Sequence, residues 1–237
     1  MDPKERLIIA VDVATREKAL SLIDELKSDV KYFKIGLEIF SSCGPSIVRD
    51  ISRIGCQIFL DLKYHDIPNT VTKAAMSVTL PGVFMLNLHA LGGYEMMKKA
   101  ADAVRQEADR SKIARPKVIA VTILTSMDEM ALKKAGISDT MDAEVLRLAG
   151  LAKEAGLDGV VASPLEVKTL REALGRDFLI VAPGVRPSWA ATGDQKRIAT
   201  PAQAIASGAS YIVVGRPVTE AKDRKEAAKR ILEEMKA

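Results

Sequence analysis

At 237 residues the chain is long enough for one large domain and short for two. Apolar residues make up 48% and charged residues 28%, close to the average for globular proteins, which excludes disorder, collagen-like repeats and coiled coil as the main architecture. Lys plus Arg is 35 against 31 Asp plus Glu, a net charge of +4 spread along the chain; with aromatics at 4% no basic, aromatic-interleaved stripe exists for nucleic acid, and the mild positive charge suits an anionic small molecule.

The N-terminal segment MDPKERLIIAVDV passes directly into a strand-like run and lacks the apolar core and cleavage site of a signal peptide, so the expected location is the cytoplasm. No apolar run approaches the roughly 18 residues that a membrane span needs. The strand-like runs, in order, are LIIAVDV (7–13), YFKIG (32–36), CQIFLDLK (56–63), VFMLNLHA (83–90), KVIAVTIL (117–124), DGVVAS (158–163), FLIVAPG (178–184) and SYIVVG (210–215). Most are continuously apolar instead of alternating, the pattern of strands buried on both faces. Between them lie stretches of helical spacing such as REKALSLIDELKS and DAEVLRLAGLAKEAG. Ser163-Pro164-Leu165-Glu166 and Thr200-Pro201-Ala202-Gln203 read as capping boxes with proline at the first helical position. Gly156 and Gly208 read as helix stops just ahead of strands.

Strict alternation of strand and helix predicts parallel strands joined by right-handed crossovers, and eight such units fit one α/β (βα)8 TIM barrel over residues 1–237. A doubly wound open sheet competes, but its Gly-rich phosphate loop is missing: neither GxGxxG nor GxxxxGK[ST] occurs. The polar stretch 184–199 between a strand and its helix reads as a functional loop, a lid. Cys43 and Cys56 have no metal spacing and read as buried thiols.

In a barrel of this kind the active site lies at the C-terminal ends of the strands. Those ends carry Asp12, Lys34, Asp61 with Lys63, His89, Thr122 to Ser126, Ser163, Pro183 to Arg186, and Gly215 with Arg216. Residues i and i+2 of a strand share a face, so Asp61 and Lys63 are expected to pair, because a buried charge is costly alone. The plain alternative is a salt bridge closing the barrel mouth; Asp66 and Pro68-Asn69-Thr70 crowd more polar groups onto the same segment and favour a site. A lysine flanked by carboxylates keeps its proton, which suits a proton donor to a developing anion and suits an imine-forming amine poorly. Gly215-Arg216 after the last strand and the 184–195 loop stand where many barrels hold phosphate. His65 and His89 are not spaced as metal ligands, and Asp12, Asp61 and Asp66 are the one acidic set that could hold Mg²⁺. His89 reads as a structural hydrogen-bonder, and Trp189 as packing in the lid.

The run Ile58 to Val71, IFLDLKYHDIPNTV, resembles the signature of the orotidine 5′-phosphate decarboxylase family. The resemblance extends to Ala10-Val11-Asp12, Lys34-Ile35-Gly36, Thr125-Ser126, Ala182-Pro183-Gly184-Val185-Arg186, Gly193-Asp194-Gln195, Thr200-Pro201 and Val214-Gly215-Arg216-Pro217. The DxKxxD element is shared with a sister decarboxylase of keto-gulonate phosphate, whereas DIPNT and GDQKR are more specific to the orotidylate enzymes.

The resemblance implies a cofactor-free, metal-free decarboxylation of orotidine 5′-phosphate to UMP, the last step of de novo UMP synthesis. It implies that Lys63 protonates C6, that Asp61 faces the substrate carboxylate, and that Asp66 enters from the other subunit of a homodimer, completing a charge network with Lys34. It further implies that Asp12 and Lys34 hold the ribose, that Thr70 reaches ligand across the interface, that Ser126 hydrogen-bonds the pyrimidine with Thr125 as a further substrate-binding residue, and that Pro183 lines an apolar corner for CO₂. Arg186, Gln195, Gly215 and Arg216 are then the phosphate site. A Mg²⁺-dependent sugar-phosphate lyase and a non-catalytic phosphosugar-binding barrel are the rival readings; the second has no need of Asp61-x-Lys63-x-x-Asp66.

Overall fold

The computed structural model describes residues 2–190 and 199–236. The strands β1 (Leu7–Ala10), β2 (Tyr32–Gly36), β3 (Gln57–Tyr64), β4 (Val83–His89), β5 (Lys117–Val121), β6 (Gly159–Val161), β7 (Leu179–Ala182) and β8 (Tyr211–Val214) pair in sequence order, all parallel, and close with β8 against β1. Around them run α1 (Arg16–Leu26), α2 (Leu37–Cys43), α3 (Ser46–Arg53), α4 (Pro68–Ser77), α5 (Tyr94–Ser111), α6 (Glu129–Lys134), α7 (Met141–Glu154), α8 (Val167–Leu174), α9 (Pro201–Ala206), α10 (Arg216–Thr219) and α11 (Arg224–Glu234). The predicted (βα)8 barrel is therefore the observed architecture. Among the described residues no helix is long and apolar enough to cross a membrane.

The runs are apolar throughout because each strand serves two cores. One cluster lies inside the barrel and contains Ile8, Ala10, Tyr32, Phe59, Met85, Ile119, Val121, Val161, Val181 and Val213. The alternate positions, among them Ile9, Phe33, Leu60, Leu86, Ala120 and Ile212, pack outward against the helices. At the N-terminal end the barrel is plugged by aromatics: Tyr32 lies 4.4 Å from Phe84 and 5.9 Å from Tyr211, ring centre to ring centre. The Tyr32 hydroxyl donates to Glu5 at 2.8 Å, and burial, followed by that bond, pushes its pKa up to about 12.

Local signals mostly act where the spacing places them. Thr200 and Gln203 form a complete capping box: Gln203 N–H donates to Thr200 Oγ1 at 3.2 Å and Thr200 N–H to Gln203 Oε1 at 2.9 Å. Gly156 and Gly208 take φ of +80° and +102°, conformations closed to most side chains. The box at Ser163 is only half made. Glu166 accepts from Ser163 N–H at 2.8 Å, but the Ser163 hydroxyl faces Leu165 N–H, and the helix begins three residues later than predicted, at Val167. Cys56 is buried and Cys43 half-buried, both as free thiols.

Inside the barrel, β6 and β7 approach closely at Gly159, where a Cβ would stand 2.2 Å from the Leu179 carbonyl oxygen and 2.5 Å from its Cβ. Since backbone cannot yield as a side-chain tip can, Gly159→Ala is expected to cost about 3 kcal/mol. Thermal unfolding followed by circular dichroism checks this, with a Tm lowered by roughly 6–12 °C.

Candidate active site

Period-two geometry carries the barrel's inward positions from apolar to charged as the strands climb. Ala10 is followed on the same face by Asp12, Tyr32 by Lys34, Phe59 by Asp61 and then Lys63, and Met85 by Asn87 and then His89. The result is a greasy lower barrel beneath a polar mouth.

In that mouth the ionic groups alternate in sign. Lys34 Nζ lies 3.0 Å from Asp12 Oδ1 and 3.4 Å from Asp61 Oδ2, while Lys63 Nζ lies 2.7 Å from Asp61 Oδ1. Gly36 leaves room for the Lys34 ammonium, since a Cβ there would stand 2.9 Å from Nζ. Burial pushes the Asp61 pKa up, but the charges of Lys34 and Lys63 and the hydrogen bonds from Lys63 and Asn87 outweigh it, leaving the carboxyl below its ordinary value. Burial likewise pulls Lys34 down, and Asp61 and Asp12 more than restore it, so its pKa stands above the usual lysine value. The pair predicted between Asp61 and Lys63 is present.

Its backbone is not a regular strand, however. Leu60 pairs with Leu86 and Tyr64 with Leu88, so Asp61, Leu62 and Lys63 stand opposite Asn87 alone. Lys63 occupies the left-handed region at φ 50°, which costs a non-glycine residue roughly 1–2 kcal/mol. Asn87 was not among the sequence-predicted residues. It is fully buried, and its amide accepts from Lys63 N–H at 2.8 Å and donates to Asp61 Oδ1 at 2.6 Å. The signal available was a lone amide at an inward position of the apolar run VFMLNLHA.

Beside this network lies a cavity of about 190 Å³ that collects Asp12, Lys34, Pro183, Arg186, Gly215 and Arg216, with Ala10, Gly184 and Val213 as its remaining walls. Six of the predicted residues thus line one space. Arg186 is buried, and its N–H donates to the Ala199 carbonyl at 2.9 Å beside a Val185–Ala199 bridge, closing the base of the predicted lid. Trp189, partly exposed on that loop, stacks on Arg230 of α11 with the guanidinium 4.4 Å from its ring centre. Gln195 lies outside the described residues. A larger groove of about 480 Å³ between the C-terminal ends of α4 and α5 opens at the opposite end of the barrel and holds none of these groups.

Asp66 and Thr70 are brought to the mouth's rim but not into the network. Both are exposed; Asp66 Oδ1 accepts from Ile67 N–H at 2.6 Å, and among the described residues no cation lies within 4.0 Å of it. Thr125 and Ser126 sit in the turn after β5 at the same rim. His89 accepts from Leu91 N–H at 3.4 Å, as expected of a structural hydrogen-bonder, and stacks on His65 at 5.3 Å. Burial, with His65 and Lys63 nearby, lowers the His89 pKa to about 4, so the ring is neutral.

Three comparisons with known proteins bear on the family and the fold. The profile of the Orotidine 5'-phosphate decarboxylase / HUMPS family matches residues 5–231. The chain is 50% identical over 236 residues to an orotidine 5′-phosphate decarboxylase of Trichlorobacter lovleyi, covering 100% of this chain and 97% of that one. A relative of the same name from Heliobacterium modesticaldum is 48% identical, covering 99% and 97%. Among solved structures, an orotidine 5′-phosphate decarboxylase from Lactobacillus acidophilus superposes with a TM-score of 0.87 at 39% identity, covering 98% of this chain and 100% of that one. A full-length profile match, relatives at half identity and a shared barrel leave one assignment: this chain belongs to the Orotidine 5'-phosphate decarboxylase / HUMPS family.

Proposed function

We propose that this protein decarboxylates orotidine 5′-phosphate to UMP and CO₂ with no metal or cofactor, as one catalytic domain spanning residues 1–237 and working as a cytoplasmic homodimer on a small-molecule substrate, with no nucleic-acid partner. The observation that carries the reading is the Lys34–Asp61–Lys63 network opening onto a cavity that also holds Arg186 and Arg216. The full-length relatives named for this activity support the choice of substrate.

Breaking the C6–carboxylate bond leaves an electron pair on C6 with little resonance help, so catalysis rests on interactions stronger in the transition state than in the ground state. The Lys63 ammonium serves this purpose by facing the departing carboxylate and then the developing carbanion, to which it gives its proton; solvent then reprotonates the amine. Asp61 fixes that ammonium from a buried position and sets a negative charge against the substrate carboxylate. Lys34 and Asp12 hold the ribose hydroxyls, Ser126 the pyrimidine with Thr125 beside it on the substrate, and Pro183 lines the corner that CO₂ leaves through. Arg186, Arg216, Gly215 and Gln195 grip the phosphate, whose binding energy closes the loop over the site and excludes water.

The dimer reading is supported by the exposed apolar side chains that follow consecutive strands: Leu37 after β2, Ile67 after β3, Leu91 and Tyr94 after β4, Leu124 and Met130 after β5. They flank the exposed Asp66 and Thr70, so a second copy seated there brings those two residues toward its neighbour's network.

Adding orotidine 5′-phosphate to chelator-treated protein is expected to give the ultraviolet change of conversion to UMP, and Lys63→Ala to abolish it. A requirement for added Mg²⁺ would move the protein to the sugar-phosphate branch, and an active Lys63→Ala would remove the mechanism. Arg216→Ala is expected to lower kcat/KM by about 10–100-fold, in line with roughly 1.5–3 kcal/mol for a hydrogen bond to a charged group. Steady-state kinetics on the orotidylate and on its dephosphorylated nucleoside checks this, because only the phosphorylated substrate should feel the change. Mixing the inactive variants Asp66→Ala and Lys63→Ala is expected to restore activity in the heterodimer; verified heterodimers without recovery would place each site within one chain.

A further inference from the structure

We infer that Asn87 is a positioning residue for the reaction, the group that holds the catalytic lysine in its left-handed turn and orients the carboxylate beside it. The inference rests on the lysine mechanism proposed above and adds a residue to it.

Three observations converge on this side chain. It is fully buried, where an unpartnered amide is expensive, and both of its ends go to the reacting machinery: Oδ1 to Lys63 N–H and Nδ2 to Asp61 Oδ1. The amide orientation is dictated by its partners, since an N–H can only donate and an ionised carboxylate can only accept. It stands alone on β4 opposite Asp61, Leu62 and Lys63, so it takes up the backbone N–H that the bulge removes from the β3–β4 ladder. No other side chain bridges the backbone of Lys63 to the carboxylate of Asp61 among the described hydrogen bonds. Losing Asn87 frees Lys63 to relax toward extended backbone, which moves its ammonium, and frees Asp61 to rotate away from both lysines.

The isosteric Asn87→Asp separates positioning from packing. The groups facing this position are Asp61 and Lys63 of β3, Lys34 of β2 across the Asp61 carboxylate, and His89 farther along β4 with His65 stacked on it; the β5 neighbours Ile119 and Val121 are apolar. A second carboxyl within hydrogen-bond distance of Asp61 holds one proton between the two. While protonated it donates to Asp61 as the amide does; once ionised it repels Asp61. The expected result is kcat closest to wild type near pH 5.5 and falling at least tenfold more steeply than wild type toward pH 8.5. Asn87→Ala, which adds no charge, is expected to lower kcat about a hundredfold while UMP binding, measured by calorimetry, stays within threefold of wild type.

A pH profile of Asn87→Asp parallel to wild type would overturn the assignment. So would an Asn87→Ala variant that keeps kcat or loses UMP affinity in proportion. If neither variant folds, judged by circular dichroism, Asn87 belongs to the fold and the assignment falls. Wild type assayed alongside distinguishes the two levels: inactive wild type removes the decarboxylase reading, whereas active wild type with unaffected variants removes only the role of Asn87.

Discussion

One buried carboxylate organises this molecule's working end. Asp61 sits inside the barrel mouth, where an isolated charge would be expensive, and it remains ionised because two ammonium groups and an amide face it. Each partner comes from a different place: Lys34 from the neighbouring strand, Lys63 from the same strand two residues on, and Asn87 from the strand on the other side. Removing any one leaves the others with uncompensated charge or an unpaired donor. The arrangement therefore behaves as a unit held by the closed sheet, and the left-handed backbone at Lys63 is the local strain that it sustains.

The barrel divides its labour along its axis. Its lower interior is filled with Ile, Val, Phe and Met above an aromatic plug, which supplies the burial that stabilises the closed sheet. The upper interior contributes little to that burial and instead presents charge to a small cavity. Across this mouth the two sides differ. The β1, β7 and β8 side carries arginines and glycine around the cavity, while the β2 to β5 side carries exposed apolar groups around Asp66 and Thr70, the surface on which the proposed dimer is drawn. Asp61 and Lys63 lie where the two sides meet, which is where the proposed mechanism sets the reacting carbon.

The resemblance and the geometry contribute different things to the functional reading. Burial, alternating charge and a nearby pair of arginines point to a barrel enzyme that manages a developing anion on a phosphate-bearing ligand. The choice of an orotidylate among such ligands rests on the resemblance carried by the continuation DIPNT and on relatives of that name that match the chain over nearly their whole length. The role of Asn87 came from the structure alone, because a single amide in VFMLNLHA has no chemistry that spacing can reveal.

What the sequence by itself determined was the fold and most of the polar residues that gather at one barrel mouth. Eight apolar runs separated by helix-length stretches admit few closed arrangements, since strands buried on both faces need helices outside and one another inside. Polar residues that end greasy strands then fall at one mouth by the rule that strand ends with the same direction lie together, which is why Asp12, Lys34, Asp61, Lys63, Arg186 and Arg216 were legible. Only the tertiary structure decided how they meet. The bulge at β3, the left-handed Lys63 and the amide that supports it depend on register between β3 and β4, and register is a relation between segments that neither segment encodes alone. The helix start at Val167 likewise departs from its local signal: Ser163 to Glu166 form a turn, closed by the Ser163 N–H on the Glu166 carboxylate, ahead of the helix.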